Sequence, residues 1–232
     1  VNLLRVPGII FAVNKLDALG SDATAAFAKI SEALQAFATH ANINVTATIP
    51  MSALKGHNVV TANPGWCGYS GPSLLSLLET LFLVHRVPAW AHNPGKRLVK
   101  SPKVFLPDTG LLTWLLDMTA DSLNALPGLP GHVVETHVAA ELLKHLGFSE
   151  QGLSLYHYRT PTDIEVDFVL ENRTGHITGI EVKASASIDS GAFKGLRHLQ
   201  DTEGDKFLRG VVLYAGREVV PFGDKLWAVP LS

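Results

Sequence analysis

"IEVDFVLENRTGHITGIEVKAS", residues 164–185, sets the architecture of the larger part of this chain. Two apolar runs flank the polar link ENRTGH, and that pattern predicts a β-hairpin. Side chains two apart on a strand share a face, so Glu181 and Lys183 stand side by side, with Asp167 near the start of the preceding strand. An isolated buried charge costs several kcal/mol, on the order of 5 or more, so these charges need partners. Two readings stay open. Glu181 and Lys183 form an ordinary ion pair, or acids and ammonium belong to a site that compensates them together.

Outward from the hairpin, HVVETHVAAELLKHLG (132–147) has helical periodicity and places Glu135 among Val133, Val134 and Val138, an unusual setting for an acid. LSLYHYRT (153–160) reads as a strand, SGAFKGLRHLQDTEG (190–204) as a helix, LRGVVLYAG (208–216) as a strand, and a last strand falls near KLWAVPL (225–231). These elements predict a mixed sheet flanked by helices. Residues 86–110, with Pro88, Pro94, Pro102 and Pro107, read as irregular, and DTGLLTWLLDM (108–118) as helical.

The first part has another rhythm. GIIFAV (8–13) is a continuous apolar strand and SDATAAFAKISEALQAFATHA (21–41) an amphipathic helix that Ser21 or Asp22 would cap. INVTATIPMSA (43–53) is a second strand, which makes a parallel βαβ unit. TANPGWCGYSGP (61–72) is a loop, and SLLSLLETLFLV (73–84) resumes a helical period with Leu74, Leu75, Leu78 and Leu81 on one side. A boundary falls between residues 75 and 85, giving domains 1–79 and 80–232.

Composition limits the function classes. With 232 residues, 47% of them apolar and 17% charged, the chain can bury a core, which argues against disorder. The formal charge of -2, with four cations and four anions before residue 80, rules out a general basic field for nucleic acid. KRLVKSPK (96–103) is the one cluster that could follow a phosphate backbone; the other reading is a solvated loop. The one cysteine, Cys67, fits a reducing, cytoplasmic compartment. No apolar run is long enough to span about 30 Å of hydrocarbon, so no membrane partner is expected. Val1 already approaches a strand, without a secretion signal, and the chain reads as a fragment. His137 and His145 lie eight apart without a zinc-binding pattern, and zinc is not expected.

AVNKLD (12–17) and SALKG (52–56) each follow a strand of the parallel unit, where ligands bind in open α/β sheets. Their chemistry suits a guanine base. Asn14 offers amide hydrogen bonds, Asp17 accepts from the two N–H donors of the base edge, Lys15 lays its stem over the ring, and Ala53, next to Ser52, donates its N–H to the guanine carbonyl. These residues resemble the fourth and fifth motifs of translation-factor-type GTPases. With GHNVV, Trp66, Tyr69 and GPSLLSLLE, residues 1–79 resemble more narrowly the GTPase (large) subunit of sulfate adenylyltransferase. The resemblance implies GTP as ligand. The G-x-x-x-x-G-K-[ST] phosphate loop of a P-loop GTPase fold is absent, so weak or no GTP binding and no hydrolysis are expected. The alternative is a remnant that folds without binding.

In the second part the order Glu135, Asp167, Glu181-x-Lys183, helix resembles the PD-(D/E)XK nuclease core. That resemblance implies Mg²⁺ or Mn²⁺ held by Asp167, Glu181 and Glu135 with the Val182 carbonyl, hard oxygen ligands for a hard ion, and Lys183 orienting a water or stabilising the developing negative charge. Residues 75–232, through the stretch LETLFLVHRVPAWAHNPGKRLVKSPKVFLPDTGLLTWLL, ETHVAAELLKH, YHYRTPTDIEVDFVLE and IEVKAS, resemble the C-terminal domain of unknown function of prokaryotic AAA-type ATPases. The resemblance implies a nuclease-like fold and, less directly, metal-dependent phosphodiester hydrolysis or DNA binding. A non-catalytic domain that docks an ATPase is the alternative; ATP binding does not carry over. Glu165 reads as a fifth ligand or a surface acid. Tyr158 and Arg159 read as phosphate contacts, or Arg159 as the partner of Asp163 or Glu165. Arg197 and Gln200 either reach the site or lie on an exposed face. The two resemblances meet at LLSLLET, as in a chimera.

Overall fold

In the computed structural model, residues 8–97, 101–124 and 128–231 are described. The chain divides into two compact units, Val1–Leu83 and Val84–Ser232.

In the first unit the apolar run after Gly8 forms β1 (Ile9–Val13), which lies parallel to β2 (Val45–Pro50). Parallel neighbours need a crossover, and α1 (Ala23–His40) supplies it. Leu16, Ala23 and Cys67 pack beside Phe27 and Trp66 in a small core. The expected side-chain cap of α1 does not form. Residues 16–22 wind as a 3-10 turn, and Asp22 at the helix start has φ -83° and ψ -4° with no cap hydrogen bond; a capping side chain needs an extended backbone. By contrast Ser73 is extended, and its hydroxyl accepts from the Ser76 N–H at 3.2 Å to start α2 (Leu74–Thr80). That helix ends before Leu81, which is exposed, while Leu75 is buried.

The second unit begins with two short antiparallel strands, β3 (His85–Val87) and β4 (Lys103–Phe105), inside the segment expected to be irregular. Between and after them come α3 (Pro94–Arg97), α4 (Thr109–Leu115), α5 (Ala120–Asn124) and α6 (Gly131–Phe148). The Asp108 carboxylate caps α4 by accepting from the Leu111 N–H at 2.9 Å. Then follow β5 (Ser154–Arg159), β6 (Glu165–Glu171), β7 (Ile177–Lys183), α7 (Lys194–Glu203), β8 (Phe207–Tyr214), β9 (Val220–Pro221) and β10 (Leu226–Pro230).

These strands make one mixed six-stranded sheet in the order β5-β6-β7-β8-β10-β9. β5, β6 and β7 run antiparallel in turn, β7–β8 and β8–β10 parallel, and β9 antiparallel to β10. Helix α6 covers one face, with Val134, Val138 and Ala139 on Phe168, Ile180 and Val182. Helix α7 covers the other, with Leu196 and Leu199 on Val166, Val169 and Ile177. Two glycines allow that approach: a Cβ on Gly179 would meet the Leu196 Cδ2 atom at 2.6 Å, and one on Gly195 would collide with the Glu165 carbonyl oxygen.

Two local irregularities interrupt the antiparallel half of this sheet. Tyr156 faces Val169 and Tyr158 faces Val166, so His157 stands opposite two residues, Asp167 and Phe168. This is the arrangement of a β-bulge, which re-aims side chains. Val166 and Val169 both meet α7, while Phe168 stays under α6. Pairing of β6 with β7 runs only from Glu171↔Ile177 to Phe168↔Ile180; Asp167, Glu181 and Lys183 lie beyond it, where the two strands are no longer paired. Among the described residues no helix is long and apolar enough to cross a membrane.

Candidate functional site

Glu135 is half-buried on the first turns of α6, between the buried Val134 and Thr136. Its Oε1 accepts from Lys103 Nζ at 2.7 Å, and the same ammonium donates to Asp167 Oδ1 at 3.0 Å. Asp167 Oδ2 accepts from the Val182 N–H at 2.9 Å. Thus β4, α6, β6 and β7 are tied together by one ammonium and two carboxylates.

Glu181 and Lys183 alternate with Ile180 and Val182, which pack under α6, so their side chains leave β7 on the other side. Lys183 Nζ donates to Glu181 Oε1 at 2.8 Å, and Glu181 Oε2 is buried with no hydrogen-bond partner. Lys183 lines a cleft of about 370 Å³ with Ser185, Ser187 and Asp189. Lys103 lines a different groove, of about 350 Å³, with His157, Arg159 and Glu165.

The electrostatics follow from burial. Glu181 is pushed up to about 7, first by burial and then by the charge of Asp167, against the pull of Lys183. Glu135 is raised by burial and by Asp167, with Lys103 opposing. Lys103 loses most to burial, yet the charges and hydrogen bonds of Asp167 and Glu135 outweigh that and raise it. Lys183 follows the same logic, with Glu181 as its main partner.

The structure therefore brings Glu135 and Asp167 onto one cation and pairs Glu181 with Lys183. The acids have the hard-oxygen chemistry that Mg²⁺ takes. The arrangement, however, does not fit a bound ion: Lys103 sits on two of the acids, and among the described residues no three His, Cys, Asp or Glu side chains gather as a set that could hold a metal.

Lys103 is the residue that the sequence did not single out. It ends the cation run 96–103, of which Lys100 lies outside the described residues. Two of its four cations, Arg97 and Lys103, are engaged within the protein. Arg97 grips Glu171 with two hydrogen bonds of 2.6 and 2.8 Å beneath Trp90 and Tyr156, and Lys103 turns to the acids. Both Arg97 and Lys103 are thus paired with acids far along the chain. Arg159 pairs with Asp163 at 2.8 Å and Glu165 at 2.9 Å, and Arg197 donates to the Ser190 carbonyl at 2.7 Å.

In the first unit Asn14, Lys15 and Asp17 follow β1, and Ser52 and Ala53 follow β2. Lys15 adopts φ 66°, in the left-handed region. Asn14 Oδ1 accepts from the Lys15 N–H at 2.8 Å and from the Ala53 N–H at 3.0 Å, so it joins the two loops. The Ala53 donor assigned to a guanine carbonyl is thus engaged inside the protein. Ser52 is fully buried and its hydroxyl accepts from the Lys55 N–H at 3.0 Å.

Comparison with known proteins divides along the chain. Residues 130–232 match a domain of unknown function (DUF4143), and residues 72–122 match another domain of unknown function (DUF8612). The chain is 42% identical over 82 residues to the bifunctional enzyme CysN/CysC of Mycobacterium tuberculosis, covering 35% of this chain and 13% of that enzyme. It is 38% identical over 78 residues to sulfate adenylyltransferase subunit 1 of Shewanella woodyi, covering 34% of this chain and 16% of that subunit. An uncharacterized protein of Mycobacterium tuberculosis is 32% identical over 160 residues, which are 67% of this chain and 33% of that protein. The chain thus spans a third or less of each of these relatives. No solved structure matches it.

Proposed function

We propose that residues 84–232 are an accessory module of an AAA-type ATPase, built on a nuclease-like scaffold, whose acid–lysine cluster holds elements together and does not cleave phosphodiesters. One observation carries this reading: the Lys103 ammonium lies between Glu135 and Asp167. Carboxylates already neutralised from within gain little by coordinating anything else. The link to an ATPase rests on the sequence resemblance of residues 75–232. It agrees with the uncharacterized mycobacterial protein, in which the aligned stretch is a third of a longer chain.

A second reading, Mg²⁺-dependent hydrolysis of DNA, is favoured by Glu181, whose buried Oε2 has no hydrogen-bond partner. A cleavage assay on single- and double-stranded DNA with Mg²⁺ or Mn²⁺ separates the two. The accessory reading expects no cleavage that depends on the cluster. Cleavage by the wild type that disappears in both Asp167→Asn and Lys183→Ala would establish the hydrolase instead.

For the first unit we read a guanine-subsite remnant of the sulfate adenylyltransferase GTPase. Its similarity to subunit 1 supports this, as does the placement of Asn14, Lys15, Asp17, Ser52 and Ala53 after neighbouring parallel strands. Calorimetric titration with GDP tests it: binding weakened by Asp17→Ala supports a retained base site, and no heat at all indicates a purely structural remnant.

A further inference from the structure

The nuclease resemblance implies a divalent cation among Glu135, Asp167 and Glu181, and the structure places an ammonium there. We infer that Lys103 supplies, from within the chain, the positive charge that a metal ion would bring to this cluster, and so closes the cluster to metal.

Three observations carry this. First, Lys103 contacts two of the three implied ligands at ion-pair distance, 2.7 Å to Glu135 and 3.0 Å to Asp167. The remaining oxygen of Asp167 is taken by the Val182 N–H. Second, the lysine is held in place. Its side chain is 26% exposed, its strand pairs with β3 through Val87↔Lys103, and the Ser101 carbonyl two residues before it lies 3.2 Å from His157 Nε2. It is not a surface side chain resting on whatever acid is near. Third, Glu181 is engaged by its own ammonium on the other side of β7, so it does not complete a third ligand. Mg²⁺ needs about six oxygens near 2.1 Å and gives up its waters reluctantly. An ammonium with three donors satisfies the same acids at hydrogen-bond distance.

The inference draws on the nuclease-like reading for the identity of the ion that Lys103 replaces. DNA cleavage tests that reading, and metal uptake tests this one. The experiment is Mn²⁺ binding by electron paramagnetic resonance, with thermal unfolding in EDTA or in Mn²⁺ on the order of 1 mM, on the full chain and its Lys103→Gln and Lys103→Arg variants. The wild type and Lys103→Arg are expected to bind no Mn²⁺ and to unfold at the same temperature in both buffers. Lys103→Gln is expected to unfold about 5–10 °C lower in EDTA. Mn²⁺ should recover part of that loss, and a second change, Asp167→Asn, should abolish the recovery. The inference is overturned if the wild type binds Mn²⁺ as tightly as Lys103→Gln through Asp167, if Lys103→Gln is as stable as the wild type, or if it is destabilised yet takes up no Mn²⁺. Should Lys103→Gln fail to fold, the wild-type titration decides: Asp167-dependent uptake refutes closure and absence of uptake supports it.

Discussion

Replacing Glu181 by glutamine should stabilise the protein at pH 8 and leave it nearly unchanged at pH 5. One carboxylate oxygen is buried without a partner and the other meets Lys183 at 2.8 Å. Burial first and Asp167 second hold the proton on, moving the group from an ordinary 4.5 to about 7. The fold thus binds this proton more tightly than the unfolded chain does. Its contribution to stability is complete below pH 4.5 and is lost as pH rises through 7. Holding the proton up to about 7 in place of an ordinary 4.5 amounts to about 3 kcal/mol. Glutamine has no proton to lose, so the gap between variant and wild type should open by that amount. Urea unfolding in EDTA at pH 5 and pH 8 measures it. With an m-value of about 3 kcal/mol/M, the variant's midpoint should lie about 1 M higher at pH 8. If it matches the wild type at both pH values, or falls below it at pH 8, the attraction to Lys183 outweighs burial and the reasoning fails.

Arg97→Ala should cost about 3 kcal/mol, because Glu171 would stay buried without its guanidinium partner. In a denaturant titration the paired change Arg97→Met with Glu171→Gln should recover most of the loss. Gly195→Ala should cost about 2 kcal/mol or more, since its Cβ collides with main-chain atoms of Glu165 and lifts α7 off the sheet; calorimetry showing no change in Tm would contradict that packing. Asn14→Ala should speed amide exchange at Ala53 about tenfold, the equivalent of one lost hydrogen bond of about 1.4 kcal/mol, as read by mass spectrometry on peptides spanning the loop.

Much of the second unit's sheet could be read in the sequence because its strands alternate cleanly and the ENRTGH link turns tightly: β6 and β7 do pair across it. The parallel β1–α1–β2 unit was equally legible from its change of period. Strands β3 and β4 were not, since three residues beside a proline carry no period to detect. The bulge at Asp167 and Phe168 was hidden as well, because it is a property of two registers rather than of one segment. Lys103 shows the same limit at the site. Read among its neighbours it belongs to a basic run; in space its partners are 32 and 64 residues away. Glu135 stood out only because an acid among valines needs a reason.

The unpaired ends of β6 and β7 have one further consequence. Where the ladder stops, no main-chain carbonyl meets the Val182 amide, and the Asp167 carboxylate takes that place at 2.9 Å. This side chain is therefore a splice in the sheet's own hydrogen-bonding frame. Truncating it to alanine would unpeg two strands as well as discharge an acid, so a dead Asp167→Ala protein would confound architecture with chemistry. Asparagine, which keeps an oxygen at the splice and removes the charge, separates the two.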